Sequence, residues 1–226
     1  NVSLNHFDGS YLQTRFNASG TIDNLFGYAL QHQPLTGTLQ VKADHIDLNK
    51  WMETDTAAAG KDTSSGAPFA VPDKVNFTLN AAADQVKYDK LVLNNISGKL
   101  LLKDQTATLS NIRADALDGT VTLNGSYSTK ENKQKPDIAF SYDLDNLDVQ
   151  KTFQTLNTVQ LLMPIAQFIS GKLSSHLQLT GKLNDNMSPL LNSLTGNGNL
   201  LLIQGLLQKF APVEQLASTL NITALK

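Results

Sequence analysis

Apolar and polar residues alternate with a period of two along most of the chain, and this alternation limits the possible folds more than any other feature. Val75, Phe77 and Leu79, for example, are separated by Asn76 and Thr78. The same pattern recurs at residues 39–44, 107–114, 120–124, 138–144 and 173–179, with one slip at Asn111 that suggests a β-bulge. Successive side chains of a strand point to opposite faces, so each segment has one apolar and one solvated face. We therefore predict a mainly β chain of antiparallel strands that follow one another as a meander.

The choice of polar residues supports strands and turns over long helices. The chain contains 17 Asp but only 3 Glu, together with 20 Asn and 14 Gly. Asp, Asn and Gly favour turns and oppose helix interiors, whereas Glu is a good helix former. Helical spacing of apolar residues occurs only at 23–31, 148–157 and 159–169, with Asp148 as the expected N-cap of the second segment. Pro164 is expected to bend or restart the third helix, and Pro189 and Pro212 can each open another short one.

Residues 53–74 differ in composition from the rest of the chain. They are small and polar, contain Pro and Gly, and show no apolar period. Such a segment buries too little apolar surface to order itself, so we expect a mobile loop, with Phe69 and Val71 docking at its end. A linker between two domains is the alternative. Because the pattern is similar on both sides, we favour one β-rich module over residues 1–226. The chain begins at Asn1 without a Met, and we expect a piece of a longer protein.

Two internal matches indicate a duplicated β-rich unit. The pentapeptide ISGKL occurs at residues 96–100 and again at 169–173. A second match has a constant offset of 101 and relates residues 39–52 to residues 140–153, including Asp47 to Asp148 and Lys50 to Lys151. A strand, a turn and the start of a helix are thus repeated together with their polar residues, which favours an internal repeat.

The sequence offers little for catalysis or metal binding. It has no cysteine, which excludes disulfides, thiolate metal sites and a cysteine nucleophile. None of the four histidines has a second ligand at metal spacing, and we interpret His176 as a solvated strand residue. Asp143, Asp145 and Asp148 superficially suggest a calcium loop but lack its Gly and distal Glu, so turns and caps explain them better. Eighteen Lys and Arg against twenty Asp and Glu give no field that attracts nucleic acid. We expect no enzyme activity and no cofactor.

Three segments resemble the AsmA-like family of diderm bacteria, in the form found in Bacteroidetes-type species. Residues 112–125 (IRADALDGTVTLNG) resemble its strand–Gly–strand pattern. Residues 163–189 (MPIAQFISGKLSSHLQLTGKLNDNMSP) resemble its C-terminal region, and residues 194–200 (LTGNGNL) fit the strand that follows. The resemblance covers nearly the whole chain except residues 53–74.

The resemblance implies an elongated, twisted sheet that curls into a groove, as in TamB and the repeating-β-groove lipid transfer proteins. It implies a periplasmic module of a parent tethered to the inner membrane. The implied role is to shield the acyl chains of phospholipid between the envelope membranes, or to support outer-membrane assembly. The alternating pattern alone favours an ordinary packed core, and the resemblance favours a lipid groove. A structural or adhesive β-repeat protein that binds other proteins through sheet edges is the competing class.

A lipid groove needs more apolar surface than the chain itself covers, and the 36 leucines of this sequence suit an unspecific channel. The candidate groove residues are the apolar-face side chains of the predicted strands. They are Leu39, Val41, Phe77, Leu79, Leu100, Leu102, Val121, Leu123, Phe140, Tyr142, Leu177 and Leu179.

Overall fold

The computed structural model describes residues 1–50 and 68–207. Ten strands form one sheet: β1 Val2–Tyr11, β2 Thr14–Asp23, β3 Leu35–Asp47, β4 Val75–Tyr88, β5 Leu91–Lys103, β6 Thr106–Ala116, β7 Gly119–Ser128, β8 Asp137–Asp148, β9 Ile169–Lys182 and β10 Thr195–Leu207. The helices are α1 Leu25–Gln31, α2 Val149–Thr155 and α3 Asn157–Leu162, with 3₁₀ turns at Pro164–Phe168 and Leu191–Ser193. The prediction of a mainly β chain with a few short helices is confirmed. In the described part of the chain, no helix is both long and apolar enough to cross a bilayer.

The strands lie in the sheet in the same order as in the chain, from β1 at one edge to β10 at the other. The sheet is open and differs from the prediction at one pair: β3 and β4 run parallel, with Leu35 opposite Val75. Every other pair of neighbouring strands is antiparallel. A parallel pair needs a connection of about a dozen residues or more, and the chain between Asp47 and Val75 is long enough. Residues 53–67 of the loop expected at 53–74 lie outside the described residues.

Bulges bend several strands and keep their apolar residues on one face. The predicted slip at Asn111 is confirmed: its φ is 51°, and the β6–β7 register shifts between Leu109 and Ile112. Asn95, Asn146 and Gln204 also have positive φ and lie at register shifts of their own strands. A bulge bends its strand and increases its twist, so these four positions curve the sheet.

The helical predictions are largely confirmed. The carboxylate of Asp148 accepts a hydrogen bond from the backbone N–H of Lys151 at 2.9 Å and caps α2. Pro164 restarts the chain as a 3₁₀ turn after α3. Between Pro189 and the start of β10, the only helical element is the short 3₁₀ turn at Leu191–Ser193, and Pro212 lies outside the described residues. Residues 48–50 are helical directly after β3, as α2 is after β8, so both copies of the predicted repeat contain a strand and a helix start.

The fully buried part of the described structure is small and lies near the ends of the strands. One cluster contains Ala43, Ala83 and Val86. Leu147 and Val149 are buried where β8 enters α2, and α2 and α3 lie at that same end of the sheet. We call the opposite end the rim. It consists of the connections at residues 24–34, 68–74, 104–105, 129–136 and 183–194.

Candidate hydrophobic groove

All twelve predicted groove residues lie on one face of the sheet. Directly paired residues of neighbouring strands point to the same side, so the register identifies the face. One row crosses the sheet from Leu39 through Leu79 to Leu100. It continues through Leu109, Gly125, Phe140 and Leu179. Parallel rows carry the rest: Phe77 opposite Leu102, Val41 beside Ala81, and Leu123 through Tyr142 to Leu177, with Val121 next to Leu123 on the same face.

None of these twelve side chains is fully buried, and none is fully exposed. In a closed two-layer core, the middle of an apolar face is covered by a second layer and fully buried. Here neighbouring side chains shield one another along the sheet, and the described helices pack mainly at the strand ends. The twelve predicted positions of the apolar face are therefore half-buried, and the fully buried positions of this face, such as Ala43 and Ala83, lie mainly towards the end of the sheet where the helices pack.

The apolar face deepens into a concavity of about 500 Å³ over β5 to β9. Four of the predicted residues line it: Leu100, Leu123, Phe140 and Leu179. The other eight predicted residues lie on the same face outside the lining. The concavity is also lined by eight residues that were not predicted: Ala107, Leu109, Gly125, Ser126, Tyr127, Ile138, Ala139 and Leu183. Ala107, Leu109 and Ile138 belong to the alternating runs, and Tyr127 extends the run of β7, so the period of two was a usable signal for them. Leu183 lies just beyond β9 but continues the spacing of Leu177 and Leu179, so the same signal extended to it.

Residues 68–72 are bound beside the concavity, at the rim. The hydroxyl of Tyr127 donates to the carbonyl oxygen of Phe69 at 2.8 Å, and burial raises the pKa of this phenol. The N–H of Val71 donates to Oγ1 of Thr129 at 3.1 Å, and Val71 is only 2% exposed. The expected docking is thus confirmed for Val71. It is wrong for the side chain of Phe69, which is 68% exposed because only its carbonyl group is bound.

The opposite face of the sheet is polar. His176 Nδ1 and Asp143 Oδ1 lie 2.6 Å apart across β8 and β9, and both side chains are exposed. A second concavity of about 550 Å³ on this face includes hydroxyl and amide groups, among them Asn124, Ser141 and Gln178, but more of its exposed lining is apolar than polar. The two faces therefore differ in their side chains, and the concavity on the apolar face has the less polar lining.

The acidic residues weighed as a calcium loop have other partners. Asp143 contacts His176, Asp145 accepts a hydrogen bond from the side-chain amide of Asn146 at 3.0 Å, and Asp148 caps α2. Within residues 1–50 and 68–207, no three His, Asp or Glu side chains are grouped as a metal site would require. The cap interpretation is confirmed for Asp148, whereas the turn interpretation is wrong for Asp143 and Asp145, which lie within β8 and pair with neighbouring strands.

A third depression, of about 680 Å³, extends across strands β1 to β4, and its lining includes several charged groups. The Arg15 guanidinium donates to Asp44 at 2.8 Å, and Lys42 lies 3.9 Å from Asp84. The hydrogen bond from Arg15, followed by those from the backbone N–H groups of His45 and Arg15, holds the pKa of Asp44 well below its usual range. The charged side chains of this depression form ion pairs with one another, so we interpret it as ion-paired protein surface.

Neither protein-family models nor curated proteins give a match to this sequence. The resemblance to AsmA-like proteins therefore rests on the segments quoted above.

Proposed function

We propose that this chain is a non-enzymatic, AsmA-like module that handles lipid by holding acyl chains against one face of its sheet. The observation that carries the proposal is the continuous apolar face across the sheet, which is half-buried at all twelve predicted positions and includes an apolar concavity of about 500 Å³. Water against such a face is unfavourable, and an acyl chain that replaces it gains about 25 cal/mol for each Å² of apolar surface removed from solvent.

The chemistry of the face suits a flexible, unspecific ligand. Its lining is aliphatic with two aromatic rings, Tyr127 and Phe140, and the Tyr127 hydroxyl is engaged by Phe69. A site that selects a polar metabolite instead directs several hydrogen-bonding groups at its ligand. Phospholipid, or another ligand with acyl chains, is the class that fits.

The cellular setting of the proposal comes from the family resemblance. The module would work in the periplasm of a diderm bacterium, within a parent tethered to the inner membrane. It would shield acyl chains between the membranes, or support outer-membrane assembly. Contact with the envelope membranes would also involve parts of the parent outside this sequence.

A specific observation favours the competing class of a structural or adhesive protein. On the edge strand β10, Leu200, Leu201 and Leu206 are more than half exposed, and Leu200 and Leu201 point to opposite faces. An edge strand with apolar side chains is a template for pairing with another chain. Under this alternative, the protein would assemble through β10 and its apolar face would carry no lipid.

Native mass spectrometry of protein purified without detergent separates the two functions. The lipid-handling proposal predicts a monomer that carries an added mass matching a phospholipid or a fatty acid, and release of that mass by organic extraction. Discrete oligomers with no bound lipid would contradict it and favour the adhesive alternative.

A further inference from the structure

The four most exposed large hydrophobic side chains of the described residues all lie at the rim. They are Leu191, Phe26, Leu30 and Phe69, with exposed fractions of 79%, 75%, 75% and 68%. They belong to three different connections, β2–β3, β3–β4 and β9–β10. Single exposed apolar residues are ordinary, and what distinguishes these four is that they all lie at the same end of the strands.

Two segments, residues 24–34 and 186–194, carry three of these side chains and contain no charged residue, although Asp185 of the 183–194 connection directly precedes the second segment. Residues 24–34 contain Phe26 and Leu30 but no Asp, Glu, Lys or Arg. Residues 186–194 contain Leu191 and also have none of these four residue types. A charged group is expensive to move into an apolar medium, so these tips can enter one without that penalty.

A group of lysines lies at the same end. Lys130, Lys133 and Lys135 are exposed in the connection between β7 and β8, where Glu131 is the only acidic residue. The other rim connections contain Lys74 and three acidic residues, Asp73, Asp104 and Asp185, so the excess of positive charge is confined to this one connection. None of the three ammonium groups belongs to an ion pair within the described part of the chain. Lysines near an anionic membrane surface are attracted to its headgroups, and their long side chains reach the headgroups while apolar neighbours sink deeper.

The rim is continuous with the apolar concavity. Tyr127 lines the concavity and binds the backbone of Phe69, whose side chain points outward. Leu183 also lines the concavity, and it pairs with Pro189, two residues before Leu191. An acyl chain leaving the concavity at this end would therefore meet the exposed rim side chains.

We propose that the rim is a membrane-docking surface. Phe26, Leu30, Phe69 and Leu191 insert into the outer part of a phospholipid bilayer, and the three lysines contact anionic headgroups. The biological purpose of this docking rests on the proposed lipid handling, because it places the concavity at the membrane. The docking itself is a separate physical property and is measured without a ligand in the groove.

Vesicle flotation of the whole chain tests the proposal. The vesicles contain phosphatidylethanolamine and phosphatidylglycerol in equal parts, with pure phosphatidylcholine for comparison. The rim variant combines Phe26→Ser, Leu30→Ser and Leu191→Ser. The matched control combines Leu200→Ser, Leu201→Ser and Leu206→Ser, which removes three exposed leucines from the edge strand. Circular dichroism verifies the fold of both variants.

We expect the parent and the control to float with the anionic vesicles. The partition coefficient of the rim variant should fall about tenfold or more, because this variant loses most of the inserted apolar surface. The neutralised variant Lys130→Gln, Lys133→Gln, Lys135→Gln should bind anionic vesicles several-fold more weakly, with little change on phosphatidylcholine. A parent that does not float, or equal binding by the rim and control variants, would overturn the proposal.

A fluorescent label gives a second measurement that does not depend on the triple variants. The chain has no cysteine, so Leu191→Cys and Leu200→Cys each accept one polarity-sensitive dye. Vesicles should shift the emission of the dye at position 191 to the blue and leave the dye at position 200 unchanged. A shift at position 191 that grows with protein concentration in the absence of vesicles would assign the rim to a second copy of the chain and refute membrane docking.

The two proposals fail in different ways. A protein that floats but never carries lipid in native mass spectrometry contradicts lipid handling and leaves the docking intact. A protein that retains lipid but does not float contradicts only the docking.

Discussion

Filling the apolar concavity at Gly125 should remove lipid binding and leave the fold intact. Gly125 lies on β7 between Leu109 and Phe140 in the long apolar row, and it lines the concavity. A Cβ at this position would meet the carbonyl oxygen of Ala139 at 3.3 Å and Cδ2 of Phe140 at 4.0 Å. No other atom apart from the adjoining residues lies within 4 Å, so the side chain of Gly125→Leu would extend into the space that we assign to the ligand.

The expected magnitudes follow from this geometry. Replacing a strand glycine lowers the entropy of the unfolded chain and stabilises by about 0.4–1 kcal/mol, which offsets the tight contact with Ala139. The free energy of unfolding should therefore change by less than about 1 kcal/mol. In the complex, the leucine side chain displaces about four methylenes of the ligand at about 0.8 kcal/mol each, or about 3 kcal/mol in total. The Kd should rise about a hundredfold, and for Gly125→Ala only about fourfold.

The assay is a titration of delipidated protein with a fluorescent fatty acid, run beside a thermal melt of each variant. Thr122→Leu is the matched control, because it adds a similar side chain to the same strand on the polar face. We expect the control to bind like the parent. If Gly125→Leu folds normally and its Kd equals that of the parent, the acyl chain does not occupy the concavity and the reasoning is wrong.

Three further changes have defined outcomes. Leu123→Asp should lower the free energy of unfolding by only about 1–2 kcal/mol, because a half-buried position on an open face lets the carboxylate reach water. The same substitution should abolish lipid retention. The control Thr122→Asp should have little effect in thermal melts or lipid assays. Gross unfolding by Leu123→Asp, in a protein whose parent carries no lipid, would indicate a packed core. The Arg15–Asp44 pair lowers the folded pKa of Asp44, so its contribution to stability is present above the unfolded pKa of about 3.9 and is lost as the pH falls below it. The difference in Tm between the parent and Asp44→Asn should therefore shrink in acid, and a difference independent of pH would contradict this origin. His176→Ala should leave any envelope phenotype of the parent protein intact, and complete loss of function in a folded variant would restore an enzymatic role.

The period of two predicted the strands and the shared face of the groove residues because both depend on the alternation of side chains along one strand. Even Leu39 and Leu179, which are six strands apart, lie in the same row. Asn111 was recognisable as a bulge because it interrupts the alternation, and Asn tolerates positive φ. The equivalent positions Asn95 and Asn146 carry the same residue type and were not recognised.

Features that depend on contacts between distant strands were not predictable from the pattern. Alternation is the same in parallel and antiparallel strands, so it could not reveal that β4 lies parallel to β3. The Leu12–Gln13 hairpin has positive φ at both residues without Gly or Asn, because the pairing of β1 with β2 overrides local preference. The concavity depends on the register that brings Gly125 between two large side chains. The outward side chain of Phe69 follows from a hydrogen bond to a residue 58 positions away.

Site-specific photo-crosslinking in cells reports which face of the sheet touches lipid. A benzophenone amino acid is placed at Leu109, which is 38% exposed on the apolar face, or at the neighbouring Thr108, which points to the polar face. After irradiation and purification, mass spectrometry identifies any adduct. The lipid-handling proposal predicts a phospholipid or fatty-acid adduct at position 109 and little or none at position 108. Equal lipid adducts at both positions, or protein adducts alone at position 109, would contradict a lipid-bearing apolar face.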